Sequence, residues 1–352
     1  MKSCYSKEME ARHLLDIMQG SSKLSNFVNV VPGFYPMQSA VFAFKDRLYK
    51  NGKVDECYSS QLERYVPIEK DAIRPMIHAG RINDFMDAKY KQFETHVLVA
   101  DYHAEYFTQR YPYAAEYLKA CSEDVKVRMM LQNDSLIRDG MRAVMDESKL
   151  IVSTYDKLCH AMIDEQSHVI SSVYSYLIIF PFKDVRLYKA YAAIINSKLF
   201  SYIFYHRLKD VNEIRHGRMG ILREMQVPFG SNEGYEVLAN LAECLFWLCR
   251  PNQPQLSQWI NNDRIRYYLT ELMNMVVYEM YFPSYVHERN LDIIVHMQNA
   301  PFMFTMLKEE ERIYQTYHWF QRSNNIVRQK MELIDTRSPE LLYIIQNFKG
   351  NE

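Results

Sequence analysis

The pattern of apolar residues changes at Pro228, and this change limits the folds open to the chain more than any other feature. Over residues 238–248, leucines recur every three or four positions, the spacing that places side chains on one face of a helix. A second run with this spacing begins near Asn262, and a third covers roughly residues 303–333. The sequence therefore predicts that residues 230–352 are mainly helical, with apolar stripes that pack together.

The chain before Pro228 mixes strand and helix patterns. Runs of β-branched and aromatic residues predict three strands, at residues 39–49, 94–102 and 173–180. Helical spacing predicts two helices, at residues 6–19 and 112–130.

These patterns together predict an α+β protein, in which a mixed α/β region precedes a mainly helical one. We expect a lead-in segment over residues 1–38, an α/β domain over 39–229 and a helical region over 230–352.

Residues 188–208 read YKAYAAIINSKLFSYIFYHRL, an apolar stretch that the polar triplet Asn196-Ser197-Lys198 interrupts. Its spacing predicts one helix of about six turns. Residues 186–223 carry eight Lys or Arg and two acidic residues, a net charge of +6, whereas residues 231–300 carry a net charge of -4. Clustered arginines are what phosphate contacts and guanine recognition require, but a solvated surface without function has the same composition.

Composition and motifs exclude several classes of protein. The formal net charge of -1 excludes a protein that coats nucleic acid through bulk charge. The chain has only 10 glycines and none of the glycine-rich motifs that bind nucleotide phosphates. It also lacks the nucleophile-elbow motif and the His-Glu-x-x-His zinc motif, so the sequence predicts no catalytic site, metal or cofactor of its own.

Cysteine usage and hydropathy predict the compartment. None of the six cysteines has Cys-x-x-Cys spacing, which favours the reduced, packed thiols of a cytoplasmic protein. Residues 1–20 are too charged for a signal peptide, and the most apolar run, residues 173–182, is too short to span a bilayer. We therefore expect a cytoplasmic protein without a membrane partner.

Three separated segments resemble the TaqI-type C-terminal specificity domain, the target-recognition part of type II restriction-modification enzymes and adenine-specific DNA methyltransferases. The first is AAIINSKLFSYIFY (192–205), with the family's Asn-Ser-Lys-Leu step. The second is GRMGILREMQVPF (217–229), which is similar to the family's strand that closes on a proline and a hydrophobic residue. The third is LMNMVVYEMYF (272–282), similar to the family's Val-Tyr-Glu-Leu-Tyr-Phe helix end, with Met280 in place of Leu. The resemblance covers roughly residues 40–346.

The resemblance implies sequence-specific recognition of double-stranded DNA. It assigns two sets of residues. Those expected to bind DNA are Lys198, Arg207, Lys209, Arg215, Arg218 and Arg223. Those expected to form the structural motif are Asn196, Ser197, Pro228, Tyr278, Glu279 and Tyr281. For Asn196 the residues leave two readings open, a role at the recognition surface or a buried amide that satisfies backbone groups of a neighbouring loop.

The chain departs from the family because it has neither the S-adenosylmethionine loop nor the Asn-Pro-Pro-Tyr segment. We therefore expect a recognition subunit or fragment that positions a separate methyltransferase or endonuclease chain, and S-adenosylmethionine to bind that partner. Two alternatives remain. One is an enzyme whose own catalytic residues match none of these motifs, or part of an adenine-specific methyltransferase whose catalytic part lies in another chain. The other is a helical protein-interaction module with no DNA role.

Overall fold

The computed structural model describes residues 21–33, 39–99, 104–122, 147–155, 158–166, 169–172, 175–181, 183–209, 216–228 and 232–349. The strands within these ranges are β1 (Ser21–Lys23), β2 (Asn29–Pro32), β3 (Ala43–Phe44), β4 (Arg47–Leu48), β5 (Val54–Ser59), β6 (Arg64–Glu69), β7 (Ile73–Ile77), β8 (Met86–Asp87), β9 (Thr95–Leu98), β10 (Lys149–Ser153), β11 (His160–Asp164), β12 (Ile170–Ser171), β13 (Ser175–Ile179) and β14 (Gln226–Pro228).

Helices dominate the second half of the chain. The α-helices within the described ranges are α1 (Ser39–Phe42), α2 (Ala104–Arg110), α3 (Pro112–Ala120), α4 (Val185–Ile195), α5 (Lys198–Lys209), α6 (His216–Glu224), α7 (Asn232–Leu248), α8 (Asn262–Tyr281), α9 (Pro283–Glu288), α10 (Ile294–Met297), α11 (Glu309–Gln321), α12 (Ile326–Met331), α13 (Ile334–Arg337) and α14 (Leu342–Gln346). This arrangement confirms the α+β class with a helical C-terminal region.

Four sheets organise the strands. The central sheet has the order β2-β13-β10-β11-β8, and α4 packs against its strands β10 and β11. A second sheet has the order β12-β7-β9-β3, and a third has the order β4-β5-β6. The remaining pair joins β1 to β14, with Ser22 opposite Val227. The segment just after residue 20 therefore pairs with the strand that ends at Pro228.

The largest hydrophobic core extends across the boundary expected at residues 229 and 230. It contains Leu150 and Ile178 of the central sheet, Ile194 of α4, Leu241 of α7 and Val276 of α8, each with 0% of its surface exposed. The helices after Asn232 thus complete a core that the α/β region begins. A smaller core within residues 41–121 holds the third sheet and α3 together.

The predicted apolar stripes of α7 and α8 are confirmed. On α7 the buried residues are Leu238, Leu241, Leu245 and Leu248, and on α8 they are Ile265, Leu269, Leu272, Val276 and Met280. At the start of α7, a Cβ atom on Gly234 would lie 2.9 Å from the sulfur of Met280, so the glycine allows the two helices to approach. The predicted strands at 94–102 and 173–180 are confirmed as β9 and β13, although residues 100–102, 173 and 174 lie outside the described ranges.

Three predictions of single elements are wrong. Residues 39–49 form α1, β3 and β4, because β3 pairs with β9 whereas β4 pairs with β5 in a different sheet. The predicted helix over 188–208 is two helices, α4 and α5. The segment at 303–333 is likewise divided, because the Asn325 side chain caps α12 by accepting the Arg328 N–H. The expected helix over 112–130 is seen as α3, and residues 123–130 and 6–19 lie outside the described ranges.

Candidate nucleic-acid interface

At the break between α4 and α5, side chains of the two helices bond to the backbone of β11 and of the residue before it, in the central sheet. Asn196 accepts the Ala161 N–H at 2.6 Å through Oδ1 and donates Nδ2–H to the Ala161 carbonyl at 3.1 Å. One turn later, the Ser201 hydroxyl accepts the Cys159 N–H at 3.1 Å. Strand β8 pairs with β11 only at Met162 and Ile163. At Cys159 and Ala161, which β8 does not reach, the side chains of Ser201 and Asn196 therefore supply the hydrogen bonds of a neighbouring strand. Asn196 is buried, as the structural reading of this residue expects.

The same joint begins helix α5. The Ser197 hydroxyl donates to the Ile194 carbonyl at 2.6 Å and accepts the Phe200 N–H at 3.2 Å, as a helix N-cap does. Asn274 of α8 accepts the Lys198 N–H at 3.0 Å. The Lys198 ammonium lies 2.7 Å from the Glu271 carboxylate, which also accepts from Gln346 at 2.9 Å. The Lys198 side chain therefore ties α5 to α8.

Side chains at the C-terminal end of α8 bond to β14 and to the start of α10. The Tyr281 hydroxyl donates to the Gln226 carbonyl at 2.7 Å and so fixes β14 to α8. The Glu279 carboxylate accepts the N–H groups of Ile293 and Ile294 at 2.5 and 2.9 Å, at the start of α10. Tyr278 is fully buried, and burial raises the pKa of its hydroxyl well above the usual range. These residues of the third motif segment have structural roles.

Pro228 closes β14 beside an aromatic groove. Its carbonyl accepts the Tyr235 hydroxyl at 2.6 Å, and the Tyr235 ring stacks on Tyr191 with ring centroids 5.8 Å apart. The groove has a volume of about 700 Å³, and its wall also includes Phe27 and Phe180. Pro228 therefore anchors the start of α7 against α4.

The described arginines of the predicted site bond to the protein's own backbone. Arg207 donates to the Glu224 carbonyl at 2.7 Å, at the C-terminal end of α6, and burial lowers the pKa of this guanidinium. Arg223 donates to the Val30 carbonyl at 2.8 Å. Arg218 donates to the carbonyls of Thr154 and Tyr155, the latter at 3.4 Å. Each guanidinium has five N–H donors. The Nε–H of Arg218 is buried and has no hydrogen-bond partner among the described residues. Arg215 and the Lys209 side chain lie outside the described residues.

Arg218 links α6 to the hairpin that β10 and β11 form. These strands pair antiparallel from Lys149 opposite Asp164 to Ser153 opposite His160, so Tyr155 lies at the hairpin tip. Tyr155 is 56% exposed, and a Cβ atom on Gly80 would lie 3.6 Å from its ring. Sequence analysis missed this tip, although the β-branched run of β10 followed by Asp156 was a usable hairpin signal. The structure thus brings α6, the hairpin tip and Gly80 together.

Among the described residues, no group of three or more His, Cys, Asp or Glu side chains could hold a metal ion. None of the helices in the described ranges combines the length and apolar character needed to cross a bilayer.

The five cysteines described carry free thiols, and burial raises the pKa of Cys57 and of Cys244 to about 12, so both are protonated at neutral pH.

Comparison with known proteins assigns no family to the chain. No family model matches the chain, and no curated protein matches it in sequence.

Proposed function

We propose that the chain is a sequence-specific DNA-recognition subunit or fragment of a type II restriction-modification system. In this proposal it positions a separate adenine-specific methyltransferase or endonuclease chain on double-stranded DNA. S-adenosylmethionine would bind to that partner, and the complex would act in the cytoplasm.

The convergence of the three motif segments carries this proposal. The Asn-Ser-Lys segment contacts α8 through Lys198, which bonds Asn274 and Glu271. The end of α8 contacts the strand before Pro228 through Tyr281 and Gln226. Segments that resemble one family at three separate places are thus in contact with one another. Contact among the three segments is what their resemblance to a single domain leads us to expect.

In the proposed complex, basic side chains at the end of α5 and around the start of α6 face the DNA. Arg207 and Lys209 belong to α5, Arg215 directly precedes α6, and Arg218 belongs to α6. Arg218 also bonds the Thr154 carbonyl, and this contact holds the end of β10 beside α6. Lysine and arginine neutralise phosphates, and arginine matches the acceptor edge of guanine in the major groove. A local basic cluster can serve this purpose in a chain with a net charge of -1.

The experiment that tests the function is selection from a random-sequence duplex library by the purified chain, followed by affinity measurements over a range of salt. The proposal expects enrichment of a defined site and a linear fall of log affinity with log salt. The combined Arg215→Ala and Lys209→Ala variant should lower the salt slope by about one unit for each lost phosphate contact. Arg264→Ala, an exposed arginine on α8, is the matched control and should leave the slope unchanged. Retention of no duplex at low salt would reject the function.

A second candidate function, a protein-interaction module, is favoured by two apolar side chains. Among the large hydrophobic residues that the structure describes, Met306 and Trp259 are the most exposed, at 92% and 90%. Their loops are joined by Arg250, which forms two bonds with the Glu309 carboxylate at 3.1 and 3.2 Å. Exposed tryptophan and methionine are typical of protein interfaces. A photo-crosslinking amino acid at position 259 that captures one protein, together with no affinity for DNA, would favour this function.

A further inference from the structure

We infer that the aromatic groove beside Pro228 binds an extended, proline-containing segment of another chain that also carries a basic residue. The groove has a volume of about 700 Å³, within the usual range for ligand pockets. Its walls come from residues 26–27 and 180–181, the first half of α4, Pro228 and the start of α7. None of the described residues predicted to bind DNA lines it. The inference therefore goes beyond the proposed function and does not depend on it.

The aromatic walls of the groove are held in place by contacts within the chain. The rings of Tyr191 and Tyr235 stack with their centroids 5.8 Å apart and their planes at 23°. The Phe180 ring meets Tyr191 edge to face, with centroids 4.8 Å apart. The Tyr235 hydroxyl also donates to the Pro228 carbonyl at 2.6 Å, which fixes this ring. A rigid aromatic surface binds proline rings at a low entropy cost, as in domains that recognise proline-rich segments.

The polar groups at the rim match the backbone of such a segment. Asn26, Asn232 and Arg186 line the groove and are exposed, and their side chains supply N–H donors. A proline has a carbonyl acceptor but no N–H, so a proline-containing segment needs mainly donors from the surface that binds it. Its extended conformation has no internal hydrogen bonds and leaves these carbonyls free to accept.

The charges at the rim favour a cation in the bound segment. Asp184 and Glu236 are exposed, and together they outnumber Arg186, the one Lys or Arg among the lining residues. The Asp184 carboxylate accepts the Arg186 N–H at 2.9 Å, which fixes its position at the start of α4. Because like charges across an interface repel, the two carboxylates disfavour a phosphate backbone. A lysine or arginine in the segment pairs with them and also gains from the nearby aromatic faces.

The test selects a displayed library of random short peptides on the purified natural chain. Fluorescence anisotropy then measures the affinity of the most enriched peptide. Glu236→Lys reverses one charge at the rim of the groove. Glu233→Lys is the matched control, because Glu233 is also exposed and lies in the first turn of α7 but does not line the groove. Thermal unfolding shows whether each variant keeps the fold.

The enriched peptides should contain proline together with lysine or arginine. Glu236→Lys should weaken binding of the selected peptide roughly 2- to 30-fold, because a repulsion replaces an exposed ion pair, and added salt should reduce the difference. Glu233→Lys should stay within about twofold of the natural chain. Replacing the basic residue of the peptide by glutamine should remove most of the difference between the natural chain and Glu236→Lys.

Three results would overturn the inference. The first is the absence of enriched peptides, or enrichment of peptides that lack proline or a basic residue. The second is an equal loss of affinity in the two charge variants, which would place the peptide away from the groove. The third is a dimer in sedimentation that Glu236→Lys dissociates, which would make a second copy of the chain the occupant. None of these results concerns duplex binding, so the proposed function is accepted or rejected separately.

Discussion

The side chain of Asn196 makes both hydrogen bonds with Ala161 that a neighbouring β-strand would make. Asn196→Ala would leave a buried N–H and a buried carbonyl unpaired, so we expect a loss of about 2–4 kcal/mol in the free energy of unfolding. Urea unfolding followed by circular dichroism measures the loss. Asn347→Ala is the control, because its side chain bonds the Tyr343 carbonyl on the surface and should cost little. Equal effects of the two substitutions would contradict this role.

Lys198 should contribute to stability through Glu271 rather than to DNA binding. The Glu271 side chain is 7% exposed and that of Lys198 is 31% exposed. Lys198→Met should therefore destabilise the fold by roughly 1–3 kcal/mol, less than a fully buried pair would lose. Lys50→Met breaks an exposed pair with Glu56 and should cost under about 0.5 kcal/mol. A smaller DNA salt slope in Lys198→Met would show instead that Lys198 contacts phosphate.

Two tyrosines of one helix should respond differently to loss of their hydroxyls. The Tyr281 hydroxyl donates to the Gln226 carbonyl, so Tyr281→Phe should cost about 1 kcal/mol. The Tyr278 hydroxyl is buried and has no hydrogen-bond partner among the described residues, so Tyr278→Phe should be neutral or stabilising. Chemical denaturation of both variants provides the comparison. A Tyr278→Phe protein less stable than Tyr281→Phe would reject this distinction.

Glu243 should make stability depend on pH in the acidic range. Its burial acts to raise the pKa, but Lys189 at 3.0 Å and Arg312 at 2.9 Å outweigh burial and lower it. A lowered pKa in the folded state adds stability above the usual value of 4.5, and this stability is lost as the pH falls through the folded value. The stability advantage over Glu243→Gln should thus be constant near neutral pH and shrink below about pH 4.5. Urea unfolding at several pH values tests this, with Glu310→Gln as an exposed control on α11. An advantage that grew on acidification would contradict the lowered pKa.

The helices after Pro228 could be predicted because their signal is local. An apolar stripe such as that of α7 is set by residues three and four positions apart, and each of its leucines is buried. The break at Asn196 could not be predicted in this way, since the residues around it are apolar enough for one long helix. Its cause is Ala161, which lies 35 positions earlier in the chain.

The same limit applies to the candidate site. The sequence predicted that Arg218 and Arg223, in the basic stretch 186–223, bind DNA. In the structure they bond the carbonyls of Thr154 and Val30, which lie 64 and 193 positions away. Charge alone does not distinguish an arginine that faces solvent from one that crosses to a distant loop. The β10–β11 hairpin was missed for a related reason, because Tyr155 at its end packs beside Gly80, which lies far from it in the sequence.

The pairing of β1 with β14 also constrains synthesis on the ribosome. Ser22 cannot find its partner until Val227 has been made and has left the exit tunnel. At typical elongation rates of about 5–20 residues per second, the first described strand waits on the order of ten to forty seconds with its edge open. Throughout that interval this edge is available to other chains, so slower translation should lengthen its exposure to misassembly and to chaperones.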